Sequence, residues 1–127
     1  MSNKNTYQPI DAQLIIKIVV SDLGILMDDL LSKHRYEPLP MARAMIVHAL
    51  RSCTDLSFPD IAWKLHKRNH STIMTANDRL LAGDYDQAIK AYIPQAIDAR
   101  DYTRWVCNRA REASQEPTSR RSSANAA

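Results

Sequence analysis

Leu14, Ile15, Ile18 and Val19 recur at the three- and four-residue spacing of an amphipathic helix. They predict a first helix over about residues 9–21, with Pro9 in an opening turn that has no use for its missing N–H. Gly24 interrupts the pattern, and a short second helix is expected around 28–31. Residues 32–40, SKHRYEPLP, carry two prolines among basic and aromatic side chains and read as an ordered loop. A third helix is expected from near Met41, its apolar face marked by Met45, Ile46, Ala49, Leu50 and Cys53.

The next signal is local. Ser57 can cap, Pro59 suits an opening turn, and Asp60 favours the positive end of a helix, so a short helix should begin there and bury Ile61, Ala62 and Leu65. Lys67 and Arg68 form the predicted turn, and Asn69 is placed to cap a following helix from His70 to about Leu81. Its inward positions are expected at Ile73, Met74, Asn77 or Leu80, and Leu81. Beyond Gly83 a helical pattern runs from Tyr85 through Ile89, Tyr92 and Ile97, with a kink or a break at Pro94. Trp105 and Val106 extend an apolar face to about Arg111, and the last residues, 114–127, are small and polar and expected to be disordered. The fold class is all-α: about six helices with a helix-turn-helix at roughly 57–81.

Composition narrows what such a domain can do. The 127 residues suffice for one modest core, and only two glycines favour helices with short connections over hairpins. That count also excludes a phosphate-cradling glycine loop, so no nucleotide cofactor is expected. Net charge is only +3, but residues 32–79 hold eight basic against four acidic side chains, whereas residues 1–31 hold two against four. The positive excess is central, as a face meeting a polyanion requires.

Two short helices joined by a tight turn can set the second helix into the major groove of duplex DNA, N-terminus first. Lys67 and Arg68 would hold phosphates near the entrance, while Asn69, His70, Ser71 and Thr72 are short polar groups able to reach base edges. The same pattern also serves helix pairs that bind no DNA. Other chemistry is weakly supported. His66 and His70 lack a third ligand, so no metal site is expected, and Asp28 and Asp29 are simplest as solvated acids at a helix start. No nucleophile–base pair is evident, and the expectation is a protein that is not an enzyme. Cys53 and Cys107 sit apart on helical stretches and read as small buried or half-buried thiols in a reducing compartment. With no signal peptide and no membrane-length apolar run, the expected location is the cytoplasm, on the nucleoid.

The stretch TDLSFPDIAWKLHKRNHSTIMTA, with MDDLLSKHR upstream, resembles the C-terminal DNA-binding domain of the bacterial replication initiator DnaA family. The resemblance is free of gaps from about Leu30 to Leu80 and covers about 12–93 at lower stringency. It implies three units: a helix-turn-helix domain over 1–93, a helical extension over 94–113, and a tail over 114–127. It further implies that Arg35 enters the minor groove, that Arg43 contacts a phosphate, and that Lys33 belongs to the same basic loop. Asn69, His70, Ser71 and Thr72 match the family's base readers, and Ala76 a small residue lying against a base methyl. Asn69 stands where the family has aspartate, Ser71 where it has threonine, and His66 near a common glycine. The family's nucleotide-binding core is not in this sequence. The expected partner is double-stranded DNA, with transcription regulation or replication control as the outcome. The alternative is an interaction protein that keeps the fold and binds a protein, or a second copy, through the C-terminal helix and Trp105.

Overall fold

The structure, a computed structural model, describes residues 10–66 and 69–115. Lys67, Arg68 and residues 116–127 of the expected tail lie outside the described residues. Seven helices and no strand occur among those described: α1 (Ala12–Leu23), α2 (Met27–Leu30), α3 (Leu39–Cys53), α4 (Phe58–Lys64), α5 (His70–Leu81), α6 (Asp86–Tyr92) and α7 (Ala99–Gln115). The all-α expectation holds.

Helix boundaries follow local chemistry. Asp11 caps α1, its carboxylate accepting from the Gln13 amide at 3.0 Å, and Pro9 lies outside the described residues. At the other end Gly24 takes φ +67° while Ile25 N–H reaches back to the Val20 carbonyl, the left-handed closure that a side chain would strain. The chain past Tyr85 divides, as the proline predicts. Pro94 cannot donate to a preceding turn, so α6 stops at Tyr92 and a new helix begins at Ala99. Asp98 accepts from the Asp101 amide at 2.8 Å, Asp101 from the Ile97 amide at 3.1 Å, and Asp86 from the Ala99 amide at 3.1 Å. These three acceptors satisfy donors that the helix start leaves without partners.

α3 is the central element. Met41, Ala42, Ala44, Met45, Ile46, Val47, Ala49 and Leu50 are all buried, because α1, α2, α4, α5 and α7 pack around it. A helix covered on every side is apolar all round. α7 belongs to the same core: Ala99, Tyr102, Val106, Cys107 and Ala110 are buried with residues of α1, α3 and α5. The fully buried Tyr102 donates its hydroxyl to Asp22 at 2.7 Å, and Arg109 reaches the same carboxylate oxygen at 2.9 Å. Burial and the neighbouring Asp22 carboxylate push the Tyr102 phenol well above its ordinary value. Trp105 is half-exposed, with the Arg109 guanidinium 4.5 Å from its ring centroid.

α5 differs from its predicted face. Ile73 and Leu80 are buried, with Ala76 and Asn77 half-buried between them, but Met74 and Leu81 are 42% and 43% exposed. One stripe at three- and four-residue spacing suffices to seat α5 on α3 and α4. Met74 and Leu81 each lie about 100° round the helix from a stripe residue.

Candidate nucleic-acid interface

The helix-turn-helix is built from its caps upward. Ser57 and Asp60 form a reciprocal box: the serine hydroxyl accepts from the Asp60 amide at 3.2 Å, and the aspartate accepts from the Ser57 amide at 3.1 Å. The Ser57 amide, and the Ser57 hydroxyl at 2.9 Å, donate to the charged carboxylate and hold the Asp60 carboxyl below its ordinary value. Arg51 supports the approach, donating to the Leu56 carbonyl at 2.9 Å while its guanidinium lies 4.7 Å from the Phe58 ring centroid. Ile61, Ala62 and Leu65 are buried as expected, and Trp63 projects from α4 with 83% of its surface exposed. His66 ends the helix at φ +61°, the left-handed region that glycine adopts without cost.

Asn69 caps α5, its amide oxygen accepting from the Ser71 N–H at 2.8 Å. His70, Ser71 and Thr72 follow in the first turn, and all four side chains are exposed. Ile73 immediately behind them is 2% exposed and fixes the helix to the body. The polar tetrad therefore stands at the free leading end of an anchored helix. Ala76, one turn beyond Thr72, is half-buried. The cap also gives a structural reason for residue 69: Asn and Asp both satisfy the first-turn donors, but Asn keeps an NH2 group as well.

The basic loop between α2 and α3 forms a second cluster. Lys33, His34, Arg35, Tyr36 and Glu37 are exposed. The Ser32 hydroxyl donates to the Asp29 carbonyl at 2.6 Å and accepts from the His34 amide at 3.1 Å, while the rings of His34 and Tyr36 lie 5.5 Å apart. A hydrogen bond to the Asp29 carboxylate raises the Tyr36 phenol above its ordinary value.

Arg43 departs from its expected place. It is buried, and its guanidinium donates to four main-chain carbonyls: Leu30 at 2.9 Å, His34 at 2.6 Å, Asp29 at 3.0 Å and Ser32 at 2.9 Å. Four of the five N–H donors of a guanidinium are thus committed to the end of α2 and the loop that follows it. Burial lowers its proton affinity from the ordinary value, and the charge of Arg35 acts in the same direction. Arg43 is placed to shape the loop that presents Lys33 and Arg35. The sequence held a signal for this, since Arg43 lies within the apolar run Met41–Met45, on a helix that buries every face.

Two further contacts escaped the sequence. His48 on α3 bonds Asn77 on α5 through Nδ1 at 3.2 Å, with the Ser52 hydroxyl 3.5 Å from Nε2. Cys53 and Cys107 meet between α3 and α7, both thiols directed at the Ala49 carbonyl. Among the described residues no group of three or more His, Cys, Asp or Glu could hold a metal ion, and no helix is long and apolar enough to cross a membrane.

Comparison with known proteins agrees with this architecture. The family described as the bacterial DnaA protein helix-turn-helix matches residues 12–80, which takes in α1 through nearly all of α5. Similar proteins include the chromosomal replication initiator protein DnaA of Gloeobacter violaceus, 30% identical over 80 residues, which are 63% of this chain and 18% of that protein. That of Pelobacter propionicus is 34% identical over 71 residues, 56% of this chain and 16% of the relative. That of Aliarcobacter butzleri is 36% identical over 70 residues, 55% and 16% respectively. The chain therefore spans less than a fifth of the length of these relatives. No solved structure matches it. With more than half of its residues accounted for by one family, on the segment that builds the capped helix pair, the chain belongs to the bacterial DnaA helix-turn-helix family.

Proposed function

We propose that this protein binds double-stranded DNA by sequence, setting the N-terminal end of α5 into the major groove. One observation carries the reading: Asn69, His70, Ser71 and Thr72 are exposed together at the start of a helix whose next residue is buried. Short polar side chains there can pair with base edges, and the Thr72 methyl can meet a thymine methyl. Ala76 leaves room for a base methyl one turn on.

Arg35, on the exposed loop held by Arg43, enters the adjacent minor groove, while Lys33, Lys67 and Arg68 neutralise phosphates. The shape of the loop is set before DNA arrives, because Arg43 ties its Ser32 and His34 carbonyls to those of Asp29 and Leu30 at the end of α2. These residues act by occupying a site, without hydrolysing nucleotide. The biological outcome is control of transcription or replication at sites related to those of the DnaA relatives, on the nucleoid.

Selection of bound duplexes from a random pool, followed by a mobility-shift titration, tests the proposal. The expected result is one enriched motif that outcompetes random duplex by at least about a thousandfold. Failure to retain any duplex at low salt would overturn it.

A further inference from the structure

The two cysteines stand 54 positions apart in sequence, yet α3 and α7 bring them to one point. Cys53 is the last residue of α3, and its thiol donates to the Ala49 carbonyl one turn back at 3.0 Å. Cys107, on the facing side of α7, points its sulfur at the same carbonyl oxygen at 3.6 Å. Two sulfurs that share one oxygen lie within a few ångströms of each other. Both also line an open cleft of about 360 Å³ between the two helices, together with Arg100, Arg104 and Arg111.

We propose that Cys53 and Cys107 are a redox-active dithiol, closed to a disulfide by low-molecular-weight disulfides that enter this cationic cleft. The two thiols act on each other. The Cys53 proton can turn from the carbonyl onto a Cys107 thiolate, and this hydrogen bond, helped by the charge of Arg111, pulls the Cys107 thiol below its ordinary value against the effect of burial. The same contact pushes the Cys53 thiol up. Cys53 is half-buried and Cys107 buried, and whichever attacks first, the other resolves the mixed disulfide.

With oxidised glutathione as oxidant the exchange balances. The thiolate of one cysteine attacks one sulfur, the glutathione S–S bond breaks, and one glutathione thiolate leaves. The second cysteine then loses its proton to water and attacks the protein sulfur of the mixed disulfide, releasing the second glutathione. Two electrons and two protons pass from the protein dithiol to glutathione, which ends as two thiols. The product joins the end of α3 to the middle of α7, and so ties the C-terminal helix to the base of the helix-turn-helix.

The test treats the reduced, folded full chain with oxidised glutathione and follows intact mass, thiol alkylation and size. A monomer lighter by two hydrogen atoms, resistant to alkylation at both cysteines and restored by a phosphine reductant, is the expected product. Its Tm should rise by roughly 10 °C, as closing a loop of this length implies. Neither Cys53→Ser nor Cys107→Ser should form the alkylation-resistant monomer lighter by two hydrogen atoms, and each should stop at a mixed disulfide on the cysteine that remains. A disulfide-linked dimer, stable glutathione adducts on the wild-type chain, or thiols that resist the oxidant yet alkylate once the chain is unfolded would each overturn the proposal.

Discussion

Arg43 donates to the carbonyl of His34 at 2.6 Å, and the next residue along the chain is Arg35, the cation assigned to the minor groove. A buried guanidinium thus fixes the backbone from which an exposed one projects. Lysine keeps the charge at position 43 but offers one compact ammonium in place of a planar fork, so it cannot satisfy four carbonyls at once. Arg43→Lys should cost about 2–4 kcal/mol in chemical denaturation, because partly buried carbonyls lose their donors. DNA affinity should fall with it. In a double-mutant cycle with Arg35→Ala the two affinity losses should overlap, since one residue acts through the other. Strictly additive losses would return Arg43 to an independent phosphate contact.

Base readers and phosphate holders separate in their response to salt. Arg35→Ala or His70→Ala should each cost about 1–3 kcal/mol on the preferred site and narrow the gap between preferred and random duplex. Lys33→Ala should weaken binding to every duplex and reduce the slope of log affinity against log salt by about one. Binding isotherms at several salt concentrations distinguish the two patterns. If both alanines leave the preferred site bound as before, the base readers lie elsewhere.

Local chemistry made much of the fold legible. Ser57 with Asp60, Asn69 at a cap and the break at Pro94 are decided by neighbours within a few residues, so the sequence displays them directly. The exposed tetrad was legible for the same reason. Arg43, the His48–Asn77 contact and the meeting of Cys53 with Cys107 depend on which helices pack together, across 9 to 54 positions. A one-dimensional pattern carries little of that. Met74 and Leu81 show the converse error: hydrophobic residues were assigned inward although α5 has only a narrow seat to fill.

His66 holds φ +61° at the end of α4, a conformation that costs a residue with a Cβ roughly 1–2 kcal/mol. Glycine removes that strain, although it also makes the unfolded chain more flexible and so returns part of the gain. His66→Gly should therefore stabilise the protein by about 0.5–1 kcal/mol, read as a higher denaturant midpoint at constant slope. A fall in the midpoint would mean that the imidazole makes contacts worth more than the backbone strain.

Asp22 receives both the Tyr102 hydroxyl and the Arg109 guanidinium, and so joins α1 to α7. Tyr102→Phe keeps the ring in the core but removes one donor to a charged acceptor, and should lower stability by about 1–2 kcal/mol. Because the ion pair with Arg109 remains, Asp22→Asn should cost more than Tyr102→Phe. Thermal unfolding of the two variants side by side gives the order, and the reverse order would show that the phenol, not the carboxylate, is the anchor.

His48 sits between α3 and α5, where burial lowers its proton affinity below the ordinary 6.5, the hydrogen bond with Asn77 partly opposes this, and the charge of Arg100 adds to it. The geometry suits the neutral ring, with Nδ1–H donating to the Asn77 oxygen and Nε2 facing the Ser52 hydroxyl. Since the folded value lies below the unfolded one, the unfolded chain binds more protons between the two. The contribution of His48 is therefore fully present above about pH 6.5 and is lost as the pH falls through the folded value. His48→Gln offers Asn77 a neutral donor that does not titrate. Its Tm should decline less than that of the wild type between neutral pH and the onset of carboxylate protonation, and parallel curves over that range would place the pH dependence in another group.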